Sequence, residues 1–182
     1  RVHIIGNIIL NNIFHISGGY CVFALNTAAC GVSFYGGYGT IAGNMMPGGS
    51  IWVAIGKQGT VIYGNTIIGD TEGIAVGGDW SIVTNNTVIG SKFGLSAAAS
   101  GSNNVFYANT VINNKAGLRM AEGDNNTFYA NHVENNSFGV EALCFFPVGD
   151  NNTLFRNNFV GNTEQVYTDS VYSYVDGVKP VY

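Results

Sequence analysis

An asparagine recurs in this chain about every 22 residues, after a short apolar run and two residues before a β-branched one. Four segments show it plainly: Val61-Ile-Tyr-Gly-Asn65-Thr-Ile, Ile82-Val-Thr-Asn-Asn86-Thr-Val, Val105-Phe-Tyr-Ala-Asn109-Thr-Val and Thr127-Phe-Tyr-Ala-Asn131-His-Val. Asn44 lies 21 residues before Asn65, and the steps to Asn86, Asn109 and Asn131 are 21, 23 and 22. The frame also catches Asn7 and Asn158. The 27 residues from Asn131 to Asn158 predict a small insertion at 144–150, and the 37 from Asn7 to Asn44 predict an excursion over 18–39. Eight residues after four anchors stands a Gly before an apolar residue: Gly73, Gly94, Gly117 and Gly139. Amide pairs precede several anchors: Asn103-Asn104, Asn125-Asn126 and Asn151-Asn152.

A fixed period of this length marks a solenoid, in which each repeat buries its apolar face only against its neighbours. Leucine-rich repeats share the period, but they carry Leu at fixed positions and usually a helical half, and neither is present. Apolar residues two apart, such as Val61 with Tyr63 or Ile74 with Val76, give the in-out alternation of strands. The expected fold is therefore all-β: one parallel β-helix domain over 1–182, of about seven rungs of about 22 residues. The anchors Asn7, Asn44, Asn65, Asn86, Asn109, Asn131 and Asn158 would stack as an inward ladder at a turn, each amide bonding the next. Gly73, Gly94, Gly117 and Gly139 would take positive φ at corners. Residues 163–182 lose the frame and alternate Tyr with Val, as a strand closing the last rung or as a contact arm.

The Asn-Asn-x-[Phe/Leu]-x-x-Asn-x-[Val/Phe] and Gly-[Ile/Leu/Val] segments resemble the repeats of the NosD-like, CASH-type superfamily of carbohydrate-binding and sugar-hydrolase β-helices. The resemblance covers about residues 40–168 and implies a right-handed helix. Such repeats occur in lyases, epimerases, sugar-binding modules, copper-maturation factors and surface proteins, so the resemblance implies a fold more than a function.

Composition narrows the classes. Charged residues make up 10% of the chain and hydrophobic residues 46%, with 26 Gly and Asn nearly as common. Disordered chains are charge-rich and poor in apolar residues. With a net charge of −4 and no Lys/Arg cluster, neither nucleic acid nor an anionic membrane is an expected partner. No uninterrupted apolar run is long enough for a spanning helix. No secretory leader is recognisable at the start, which reads as a mature or trimmed chain. The expected location is extracellular or at the cell surface.

Chemistry-bearing residues are sparse. Ala75, Ser96, Arg119 and Glu141 share an offset, so Arg119 and Glu141 should be cross-rung neighbours on an outward strand. With Glu122 they form the charge concentration that could bind and ionise a uronic acid; the bland alternative is a surface ion pair worth about 0–1 kcal/mol. Tyr107 and Tyr129 could add sugar stacking if they face outward. His3, His15 and His132 fall on distant rungs and Met45, Met46 and Met120 do not join them, so neither a metal site nor another cofactor is expected. Cys21 and Cys30 could clip the excursion, Cys144 could pair with either or with another subunit, or all three could be buried thiols; an odd count leaves one thiol free or intermolecular.

Two functions follow as expectations. The first is a non-catalytic structural or interaction β-helix, joining copies of itself into a layer, sheath or fibre through apolar excursions and open ends. The second is a carbohydrate-binding or polysaccharide-processing β-helix acting on acidic glycans.

Overall fold

The computed structural model describes residues 1–10, 13–56, 59–69, 71–98, 101–121, 123–143 and 151–168. Its strands form three sheets, each eight strands deep, and every strand is hydrogen-bonded to the strand three places on in the chain. All pairings are parallel and in register, as Val61↔Ile82↔Val105↔Thr127↔Thr153 shows. This is a parallel β-helix whose rung visits the first, second and third sheets in turn. A representative rung, the fourth, contains Val61–Tyr63, Thr66–Ile68 and Glu72–Val76.

Three-residue strands point their middle residue inward. In the first sheet these are Phe23, Ile41, Ile62, Val83, Phe106, Phe128 and Leu154, and in the second Ala28, Met46, Ile67, Val88, Val111 and Val133; all are buried. Like residues stack on like because the register is exact from rung to rung. The Phe106 and Phe128 rings lie 4.4 Å apart and 4° from parallel. Such stacking adds about 0.5–1.5 kcal/mol to the apolar burial.

Each of the three corners carries an amide column. Between the first and second sheets it runs Asn7, Asn26, Asn44, Asn65, Asn86, Asn109, Asn131, Asn157. Each Oδ1 accepts both the backbone N–H and the Nδ2 of the preceding Asn, as in Asn65 N to Asn86 Oδ1 at 3.0 Å and Asn65 Nδ2 to Asn86 Oδ1 at 2.9 Å. Nδ2 also donates to backbone carbonyls. Shorter columns occupy the other corners: Asn104, Asn126 and Asn152 before the first sheet, and Asn114, Asn136 and Asn162 before the third.

The residue before every Asn of the long column is left-handed: Gly6, Leu25, Gly43, Gly64, Asn85, Ala108, Ala130 and Arg156. This explains the amide pairs. In Asn103-Asn104, Asn125-Asn126 and Asn151-Asn152 the first Asn takes positive φ, which Asn tolerates, and the second enters the column.

Several expectations are corrected. Residues 18–39 are not an excursion: Cys21–Ala24, Thr27–Ala29 and Gly31–Phe34 are the second rung, paired with the rungs on either side. Its anchor is Asn26, hidden in sequence because Ala28 fills the slot usually held by a β-branched residue. Asn158 is not in the ladder. Asn157 is, and Asn158 begins the next strand with its side chain outward against His132.

Gly73, Gly94, Gly117 and Gly139 do not take positive φ and do not sit at corners. They lie inside third-sheet strands, where a Cβ has no room. On Gly94 a Cβ would fall 2.5 Å from both the Gly117 carbonyl oxygen and Val111 Cγ1. Cys21 and Cys30 are buried free thiols, not a clip. Glu164–Thr168 is the third strand of the eighth rung, so part of the expected terminal arm is ordinary solenoid. Cys144, the 144–150 insertion, Glu122 and residues 169–182 lie outside the described residues.

Candidate functional site

The third sheet carries the predicted charge pair. Its register aligns Ser33, Trp52, Ala75, Ser96, Arg119, Glu141 and Tyr167 on successive rungs. Arg119 Nε lies 3.3 Å from Glu141 Oε2, so the expected neighbours do meet. The contact is ionic without a well-directed hydrogen bond, since neither atom has a partner of good geometry. The guanidinium carbon sits 4.2 Å from the Phe93 ring centroid, and Lys92 Nζ lies 4.9 Å from the same ring.

The pair is covered. The Arg119 and Glu141 side chains are only 18% and 9% exposed, and Ala75 and Ser96 in the same column are wholly buried. Arg119 therefore meets Glu141 and an aromatic face instead of presenting its charge to a polymer. The arrangement neutralises a buried carboxylate and ties rungs five, six and seven together.

The potential metal donors are dispersed. His3 is in the first sheet and His15 in the third, both in the first rung, while His132 is in the second sheet of the seventh. His132 holds Glu134 Oε2 at 2.9 Å with one ring nitrogen and Asn158 Nδ2 at 3.1 Å with the other. Met46, Cys21 and Cys30 belong to the core, and Met45 faces outward in the second sheet. Among the described residues no three His, Cys, Asp or Glu side chains come together as a metal site. Burial pushes the Cys30 thiol up from its ordinary range.

The outward positions of the first and second sheets are of another kind. In rungs four, five and six they hold Val61, Tyr63, Thr66 and Ile68; Ile82, Thr84, Thr87 and Ile89; and Val105, Tyr107, Thr110 and Ile112. Glu134 on rung seven is the first carboxylate or basic lysine or arginine at an outward strand position of either sheet. Charges collect instead on the third sheet and its approach: Glu72, Lys92, Lys115, Arg119, Glu141 and Glu164.

Tyr107 and Tyr129 face outward, but Tyr107, Tyr129 and Phe155 stack face to face at 5.1 and 5.2 Å. The facing ring surfaces of these three residues cover one another from rung six to rung eight. The Thr66, Thr87, Thr110 column is one edge of this uncharged surface.

A family model described as "Periplasmic copper-binding protein (NosD)" matches residues 6–175 of the chain. No curated protein is similar enough in sequence to be matched to it. Among solved structures, the A-module of mannuronan C-5 epimerase AlgE4 from Azotobacter vinelandii is similar, with a TM-score of 0.51 and 12% identity, over 92% of this chain and 58% of that one. The chain thus spans somewhat over half the length of that structure, and the likeness is one of fold.

Proposed function

We propose, from the premise that this chain belongs to the NosD family, that it is a non-catalytic interaction β-helix outside the cytoplasm that associates side by side with copies of itself. The family's description as periplasmic supports the location. One observation carries the association: two of the three faces of the solenoid show no Lys, Arg, Asp or Glu at outward strand positions over six consecutive rungs.

The size of that surface is that of a contact patch. Over the six charge-free rungs, strands at about 4.8 Å and three residues at about 3.3 Å make each face roughly 24 by 10 Å. The two faces together offer about 480 Å², within the roughly 300–600 Å² of the largest and often functional apolar patch on a typical monomer, and below the roughly 800 Å² per partner of a standard interface. Stacked Tyr edges and β-branched side chains in strict register fit a second surface of the same repeat, as paired sheets interdigitate in steric zippers.

The family's copper does not fit the described residues. The imidazoles lie on three sheets, both ring nitrogens of His132 are engaged, and the two described thiols, Cys21 and Cys30, are in the core. No step of the proposal runs through a metal. The acidic-glycan reading keeps its charged pair but not an open one, because Arg119 already lies between Glu141 and Phe93.

The test is to place charge on the face. Tyr107→Lys and Thr110→Lys, at half-buried outward positions of the sixth rung, should weaken association at least tenfold in sedimentation equilibrium while leaving the circular dichroism of the fold intact. Association unchanged in both variants would rule the face out.

A further inference from the structure

We propose that the corner leading into the first sheet is a docking strip for a proline-rich segment of a partner protein, held in the polyproline II conformation. This contact is separate from the lateral one and rests on different residues.

One backbone slot on that corner is left-handed from rung to rung. Rungs six to eight fill it with Asn103, Asn125 and Asn151, and rung four fills it with Gly59. Both residue types take positive φ readily. Rungs two, three and five instead hold Tyr20, Tyr38 and Trp80, at φ 58°, 53° and 57°. A bulky side chain is an outlier in this region. Burial does not explain the choice, because the three are 60%, 57% and 61% exposed. Strain kept where Asn or Gly would relieve it points to a function for the side chains themselves.

The three side chains form a strip along the solenoid. Backbone bonds between rungs align the slots: Tyr20 N–H donates to the Gly37 carbonyl at 3.0 Å, Gly59 N–H to Asp79 at 3.0 Å and Trp80 N–H to Ser102 at 3.1 Å. The Tyr20 and Tyr38 rings stack at 5.6 Å. Gly59 leaves a notch between Tyr38 and Trp80. A Cβ on it would fall 2.8 Å from Tyr38 Cδ1, so the tyrosine ring borders the notch.

Spacing and charge select the occupant. Tyr38 and Trp80 are two rungs apart, about 9.6 Å. A polyproline II helix has three residues per turn at about 3.1 Å each, so it presents the same side every 9.3 Å or about that. Its carbonyls have no internal partner, and such segments seat in aromatic-lined grooves. Among the described residues no hydrogen bond engages the Tyr20 or Tyr38 hydroxyl or the Trp80 indole N–H, which leaves them as donors for those carbonyls. The same corner carries Asp79 and Asp124 and, among the described residues, no lysine or arginine. Asp79 stands next to Trp80 in the chain and spends only Oδ1, on Ser102 N–H at 2.8 Å. The segment that fits therefore carries a basic residue beside its prolines. A glycan fits less well, since Tyr20 and Tyr38 already turn ring faces toward each other.

Isothermal titration calorimetry of the full chain tests this with a synthetic peptide of ten prolines flanked by arginines, and with the same peptide carrying glycine in place of proline. The proline peptide should bind saturably and at least tenfold more tightly than the glycine one. Trp80→Asn and Gly59→Asn, which install the residue that rungs six to eight use, should weaken binding at least tenfold with the circular dichroism of the fold intact. Trp80→Asn should also unfold at no lower temperature than the parent, whereas a merely structural Trp80 would lower it. Tyr107→Lys should bind the peptide like the parent. A parent chain that binds neither peptide or both equally, or a folded Trp80→Asn chain that binds like the parent, would overturn the strip. A neutral hexasaccharide bound more tightly than the proline peptide would assign the strip to glycans and overturn the peptide reading. None of these outcomes bears on the side-by-side contact, which is read by sedimentation.

Discussion

Replacing Asn86 by Ala removes one member from the middle of the long amide column, and the cost can be worked from its bonds. Asn86 Nδ2 donates to the carbonyls of Ile62 and Thr84 and to Asn109 Oδ1, each at 3.0 Å. Its Oδ1 accepts Asn65 N–H at 3.0 Å and Asn65 Nδ2 at 2.9 Å. After truncation Asn65 Nδ2 keeps two carbonyl partners, but the buried Asn65 N–H keeps none. One buried donor left unmade costs about 1–3 kcal/mol, and each exchanged bond about 1 kcal/mol more, so the expected loss is about 3–5 kcal/mol. That is a large part of the roughly 5–15 kcal/mol that holds a domain folded. Asn7→Ala is the internal control: Asn7 is exposed, its Oδ1 accepts no hydrogen bond among the described residues, and the loss should be under about 1 kcal/mol. Asn86→Asp keeps the volume and the oxygen that accepts both Asn65 bonds but turns the donor into an oxygen facing three oxygens, so it should cost at least as much as Ala. Urea unfolding followed by far-ultraviolet circular dichroism, at dilutions where the chain is monomeric, reads all three. An Asn86→Ala loss no larger than that of Asn7→Ala, or an Asp tolerated at neutral pH, would refute the claim that the column's hydrogen bonds stabilise the helix.

Gly94→Ala should destabilise by about 1–3 kcal/mol or more, since the added methyl meets a carbonyl oxygen and a core valine at 2.5 Å; Ala130→Gly, at an exposed residue with φ 52°, should instead stabilise by up to about 1 kcal/mol, and equal signs in thermal unfolding would contradict this division between the two kinds of position. Arg119→Leu strands the covered Glu141 carboxylate and should cost several times more than the double change Arg119→Leu with Glu141→Leu, a difference that a double-mutant cycle measures. Burial raises the Cys30 thiol, so the thiolate is scarcer than in an ordinary cysteine at mildly alkaline pH; alkylation should be slow in the native protein, rise only above the normal thiol range, and become fast in denaturant, whereas rapid native labelling at neutral pH would place Cys30 nearer the surface.

The architecture was legible because stacking forces repetition: residues that share a column share a chemistry, and Asn65, Asn86, Asn109 and Asn131 made the column visible. The sequence misled where a column tolerates substitution. Asn26 is masked in sequence because Ala28 is a small version of the usual inward residue, and the adjacent amides Asn157 and Asn158 match the frame equally well. The rule that settles such cases is backbone conformation. The ladder Asn follows a left-handed residue that ends the strand, and in Phe155-Arg156-Asn157 that residue is Arg156 with φ 53°. Nor does the glycine period reveal its cause, because the same spacing serves a positive φ or a close approach, and contact with Val111 and Gly117 in neighbouring strands decides for the latter. The Arg119–Glu141 pairing followed from register alone. Its closure did not, because Phe93 reaches Arg119 from the preceding rung through side-chain packing that spacing does not encode.

The direct test of the account is sedimentation equilibrium of the unmodified chain against its Tyr107→Lys variant across concentration. Self-association through the uncharged faces predicts a mass that climbs with concentration in the parent and lags at least tenfold in the variant. A parent chain that stays monomeric at every concentration would contradict it.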